Sequence, residues 1–185
     1  MLASRELRRN NIAEYLLYMW QVEDLVRANG FDPERIASAV LGVDTDPDTR
    51  SEYVGWYEEL VGMMTAEGVR EKGHLQINRN IVILLSDLNN RILQSSGFSG
   101  YKHSYYSALP VIVEFRAKSG DNGKEKEELE SCFDFMYGIW MLKMQGRMIS
   151  QGTADAAKRV SAVLAQLAGY YARELRGELD LDHED

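Results

Sequence analysis

Apolar side chains recur every three or four positions along almost the whole chain, and this spacing constrains its fold more than any other feature. Ile12, Tyr15, Leu16, Met19, Val22 and Val26 line one face of a helix read from about residue 4 to residue 28. Tyr53, Trp56, Tyr57, Leu60, Met63 and Met64 repeat the stripe over 48–67, and Ile77, Ile81, Leu84, Leu85, Leu88 and Ile92 over 75–94. Leu129, Phe133, Met136, Tyr137, Trp140, Met141 and Met144 carry it through 127–148. Val160, Val163, Leu164, Leu167 and Tyr171 carry it through a last helix that Thr153 would cap. A short helix is expected after Asp32, with Pro33 in its first turn and Gly42 as a left-handed stop.

Pro33, Pro47 and Pro110 are the only prolines, so long stretches keep every backbone donor a helix requires. Pro110 falls in the middle of 101–118 and leaves two readings open, one kinked helix or a shorter helix beginning at the proline. Val111, Ile112 and Val113 are β-branched, but no alternating segment elsewhere offers them a strand partner. The expectation is an all-α, single-domain bundle of about six to seven helices over 1–177, followed by an acidic tail, 178–185.

Composition narrows the function classes. A chain of 185 residues with 45% apolar and 27% charged side chains is the size and balance of one self-sufficient core. Its formal charge of -8 arises partly from the tail and from Asp44, Asp46, Asp48 and Glu52, while the bases are scattered except at Arg5, Arg8 and Arg9. No basic stripe remains to follow a phosphate backbone, so nucleic acid is not an expected partner. Apolar runs such as 81–85 and 139–142 fall far short of the ~18 residues that span a bilayer, and no membrane partner is expected. The N-terminus lacks the apolar segment of a secretory signal, and lone Cys132 has no internal disulfide partner, so a reducing cytoplasm is the expected location.

Three segments have a familiar wording: IAEYLLYMWQVEDLVRA (12–28), EGVREKGHLQIN (67–78) and YYSALPVIVEFRAKSG (105–120). They resemble an uncharacterised bacterial family of all-helical proteins, the domain of unknown function 4924 family, and the likeness extends over most of the chain. The resemblance implies a compact helical fold and brings no chemistry with it.

The residues themselves offer few sites. Glu71 and His74 have the Glu-x-x-His spacing of di-iron bundles, but such sites need a second pair and two further glutamates. His103 and His183 have no acid three residues before them, and Gly73 interrupts the first pair, so no metal, cofactor or catalytic group is expected. Glu23 and Arg116 are charges on apolar stripes and need partners. They are expected to pair with each other or with neighbours and set helix register, or else to be polar handles in a cleft. Gly138, inside a helix, suggests close approach of another helix or a bound group.

Two readings of function follow. The first is a non-catalytic binding or interaction module, associating as a homodimer because the stripes exceed what one neighbour each would cover. The second is a small-molecule-binding protein or enzyme with a cleft drawn from Trp20, Glu23, His74, Tyr105 and Arg116; Trp140 completes the candidate set.

Overall fold

A computed structural model describes residues 2–120 and 126–181, with side chains from Glu6 onward. Among the described residues the fold is all-α, with eight helices. They are α1 (Leu2–Asn10), α2 (Ile12–Ala28), α3 (Pro33–Val40), α4 (Pro47–Ala66), α5 (Gln76–Gln94), α6 (Ser99–Lys118), α7 (Glu128–Met144) and α8 (Gln151–Leu175). The count exceeds the six to seven expected because the first helix is broken at Asn11, a residue whose amide competes with the helical ladder for nearby backbone groups. Of the acidic tail, residues 182–185 lie outside the described residues, as does His183.

Most helix ends follow the local chemistry of the chain. Asp32 Oδ1 accepts from the Glu34 and Arg35 N–H groups and starts α3 with Pro33 in its first turn. Asp46 Oδ1 accepts from the Thr49 N–H at 2.9 Å, so Pro47 opens α4. Gly68, at φ +69°, ends α4 with the Val69 N–H returning to the Met64 carbonyl, a bond that left-handed glycine permits. Two caps differ from expectation. Leu41, in extended conformation, closes α3 ahead of Gly42, and Ser150 rather than Thr153 caps α8, its Oγ accepting from the Thr153 N–H. α6 settles the Pro110 alternatives: it is one helix that starts at Ser99 and carries the proline inside it.

Contacts gather the chain into two units, Met1–Asn10 with Glu14–Ile81 and Asn11–Ala13 with Val82–Asp185. In the first, α3 packs on α4, and Leu16, Trp20, Val26, Ile36 and Met64 are buried. In the second, α6 packs against α7 and α8, and α7 against α8, burying Leu88, Phe98, Tyr101, Ile112, Phe133 and Val163. The buried stripes are narrower than the apolar spacing predicts. Met63, Ile77, Leu84 and Met144 are exposed. In α5 the run 81–85 is apolar all round, and burial selects Ile81, Val82 and Leu85, on the side continued by Leu88 and Ile92.

Gly138 is corrected as well, because a Cβ built there meets nothing within 4 Å, so no helix crowds it. Gly138→Ala is therefore expected to stabilise the protein by about 1 kcal/mol, roughly 2–4 °C in thermal midpoint by calorimetry. A lower midpoint would contradict the open space. Burial, with the Glu128 carboxylate adding to it, pushes the Cys132 thiol from 9.0 up to about 12. The unfolded chain ionises this thiol first, so its contribution to stability is constant below pH 9.0 and is lost as pH rises toward about 12. Native Cys132 should accordingly react with a maleimide at pH 8 far more slowly than the urea-unfolded chain, and equal rates would refute its burial.

Candidate functional site

Glu23 on α2 is wholly buried, yet its carboxylate is well provided with donors. Oε1 accepts from the Leu75 N–H at 3.0 Å and from Asn78 Nδ2 at 2.7 Å, and Oε2 lies 2.6 Å from His74 Nδ1. Glu67 Oε2 accepts the next backbone donor, the Gln76 N–H, at 2.6 Å. Two acidic side chains thus occupy the N-terminus of α5, where unsatisfied N–H groups and the helix dipole favour negative charge. Facing a carboxylate, which can only accept, His74 Nδ1 is the donor of this pair. The imidazole stacks on Trp20, with centroids 4.1 Å apart and planes 13° from parallel. Arg27 reinforces the same loop by donating to the carbonyls of Val69 and Gly73 and to Asp24.

Trp20, Glu23 and His74 are therefore brought together in the first unit, while Glu71 stays exposed. No group of three metal-ligating side chains occurs among the described residues. The chemistry of this cluster is that of a clasp: it holds the 67–75 loop and the start of α5 to α2.

Tyr105 and Arg116 belong to a second cluster, in the second unit. The Tyr105 hydroxyl donates to Glu128 Oε2 at 2.6 Å, and Arg116 Nη1 stands 3.8 Å from Glu128 Oε1. Glu23 and Arg116 thus have separate partners and do not pair with each other. Burial, followed by the hydrogen bond and charge of Glu128, pushes the Tyr105 phenol well above its ordinary value and keeps it a donor. The Tyr101 hydroxyl donates to Asn89 Oδ1 at 2.6 Å. Lys126 lies 2.7 Å from Asp134 and 3.3 Å from Glu130; burial works against its charge, but the two carboxylates prevail and hold the ammonium above its usual range.

Beside these groups opens a cavity of about 380 Å³ lined by Ser86, Asn89, Asn90, Arg116, Lys126, Glu127, Glu128 and Leu129. Ser86 is only 6% exposed, and its Oγ has no hydrogen-bond partner. One wall is the start of α7, whose N-cap residue Glu127 makes no side-chain capping bond. A second cavity of about 410 Å³ includes Val111, Phe115, Phe135, Lys118 and Ser150, but Lys118 is paired with Glu114 and Ser150 with Thr153. Trp140 lines neither; half-buried on α7, it stacks on Tyr137 with centroids 5.6 Å apart.

Comparison with known families decides the kinship. The family model described as a domain of unknown function, DUF4924, matches residues 1–178. The chain belongs to the DUF4924 family. No curated protein and no solved structure matches it. Within this DUF4924 chain, Ser86, Asn89, Lys126 and Glu128 escaped sequence reasoning. The available signal was the buried pair Ser86 and Asn89, two polar side chains three residues apart beside the apolar face of α5.

Replacing the clasp carboxylate separates its parts. Glu23→Ala should cost about 3–5 kcal/mol in urea unfolding, because buried donors lose their acceptor. Glu23→Gln, which keeps an acceptor oxygen for Leu75 or Asn78, should cost only about 1–2 kcal/mol. An unchanged midpoint for the alanine variant would eliminate the clasp.

Proposed function

We propose that this protein is a non-catalytic binding module that takes a small polar molecule into the cavity of its second unit. The observation that carries this reading is Ser86: a buried hydroxyl without a partner costs about 1–3 kcal/mol, and a ligand supplying the missing bond accounts for its retention. The cavity volume of about 380 Å³ falls within the range of small-molecule sites, and Arg116, Lys126 and Glu128 supply polar groups to orient a guest. Binding rather than catalysis suits these groups. Tyr105 and Lys126 are both held in one protonation state around neutral pH, which favours fixed orientation over proton transfer.

A second copy of the chain is the partner we propose for the outer face of α6. There Tyr106, Pro110 and Val113 are exposed at spacings of four and three, with Tyr106 58% and Val113 53% accessible. A reducing cytoplasm suits the buried free thiol of Cys132, and no helix among the described residues is long and apolar enough to cross a membrane.

Titration of the ¹⁵N-labelled chain with a library of small polar fragments should shift the backbone amides of Ser86, Asn89 and Leu129. A library that leaves all three unmoved would overturn the cavity reading. Ser86→Ala removes a hydroxyl that bonds nothing, so the free variant should be at least as stable as wild type while losing affinity for any fragment found. For self-association, sedimentation at micromolar concentration should give a dimer that Tyr106→Glu dissociates, and a clean wild-type monomer would dismiss it.

A further inference from the structure

We propose that the cavity ligand is a small zwitterion of amino-acid type, its anionic end against Ser86 and the first turn of α7 and its ammonium against Glu128. The inference rests on the cavity reading above and adds the ligand's charge pattern. The walls carry two side chains of each sign, Arg116 and Lys126 against Glu127 and Glu128. A guest with negative charge alone would meet the two glutamates, and one with positive charge alone would meet the two bases.

Two independent features place the anionic end. The first is the N-terminus of α7, a helix of 17 residues whose N-cap residue Glu127 has extended backbone, φ -67° and ψ 159°, and makes no side-chain capping bond. The opening N–H groups of such a helix attract carboxylate or phosphate oxygens. The second is the Ser86 hydroxyl, which is buried, lines the same cavity and has no acceptor within the protein. A carboxylate oxygen would accept its proton and complete its bonding.

Glu128 places the cationic end. Its Oε2 is committed to the Tyr105 hydroxyl at 2.6 Å, which pins the carboxylate at the cavity wall. Its Oε1 stands 3.8 Å from Arg116 Nη1, longer than the ~2.7–2.9 Å of a direct charge-assisted bond, and so retains capacity for an ammonium proton.

Five probes on four-carbon skeletons test the proposal against the full-length chain by ¹⁵N chemical-shift titration. L-2-Aminobutanoate and 4-aminobutanoate carry both charges at short and long separation, butanoate and butylamine carry one each, and butanol carries none. At least one zwitterion should shift the Ser86 and Glu128 amides saturably, on the order of tenfold more tightly than the other three probes. Ser86→Ala and Glu128→Gln should each weaken it by a similar factor, with circular dichroism confirming that each variant remains helical. Butanoate, butylamine or butanol binding as tightly as the zwitterions would overturn the proposed class and leave the cavity reading intact. If none of the five moves these amides the zwitterion is refuted, and the fragment library then decides whether the cavity reading falls with it.

Discussion

The first backbone N–H groups of every helix need acceptors from outside the helix, and the way this chain meets that requirement governs much of the rest of its structure. α3, α4 and α8 are served locally by Asp32, Asp46 and Ser150. α5 is served from a distance, by Glu67 at the end of α4 and by Glu23, 52 residues before Leu75. That long reach turns a helix cap into tertiary structure. Once the buried carboxylate binds Leu75, Asn78 and His74, the loop before α5 is fixed to α2, and the His74 ring is set on Trp20. α7 has no side-chain cap from Glu127, and its start forms a wall of the polar cavity.

Buried polarity divides into settled and unsettled groups. Glu23 is settled: its desolvation is offset by three donors, two of them charge-assisted side-chain bonds under 2.8 Å. Asn89 is settled through Tyr101. Ser86 is not: its buried hydroxyl borders the polar cavity and bonds none of the donors and acceptors around it, the observation on which the proposed binding reading rests. Asn78 Oδ1 and Arg27 Nε, beside Glu23, are buried without a partner as well, and the adjoining cavity is what sets Ser86 apart from them.

The sequence made different parts of this legible for identifiable reasons. Glu23 and Arg116 stood out because a charge on an apolar stripe is conspicuous, and His74 because of its spacing from Glu71. Their partners did not, since Asn78 and Glu128 are ordinary residues in a chain with many acids and amides and only the fold selects them. Serine is most often a surface residue, so nothing local distinguishes buried Ser86 from other serines. Gly138 misled for the converse reason: a glycine within a helix has a meaning only when its surroundings are known, and here they are open.

By itself the sequence determined that the chain is helical and where most helices begin and end, because apolar period, cap residues and proline or glycine positions act within a few residues of one another. Tertiary structure alone decided that Glu23 joins His74 while Arg116 joins Glu128, which stretch of the α5 apolar run is buried, and that Ser86 borders a cavity. Those outcomes depend on contacts between residues far apart in the chain. Such contacts are fixed by how helix faces pack and by which polar atoms find partners once water is excluded, quantities that no local pattern contains.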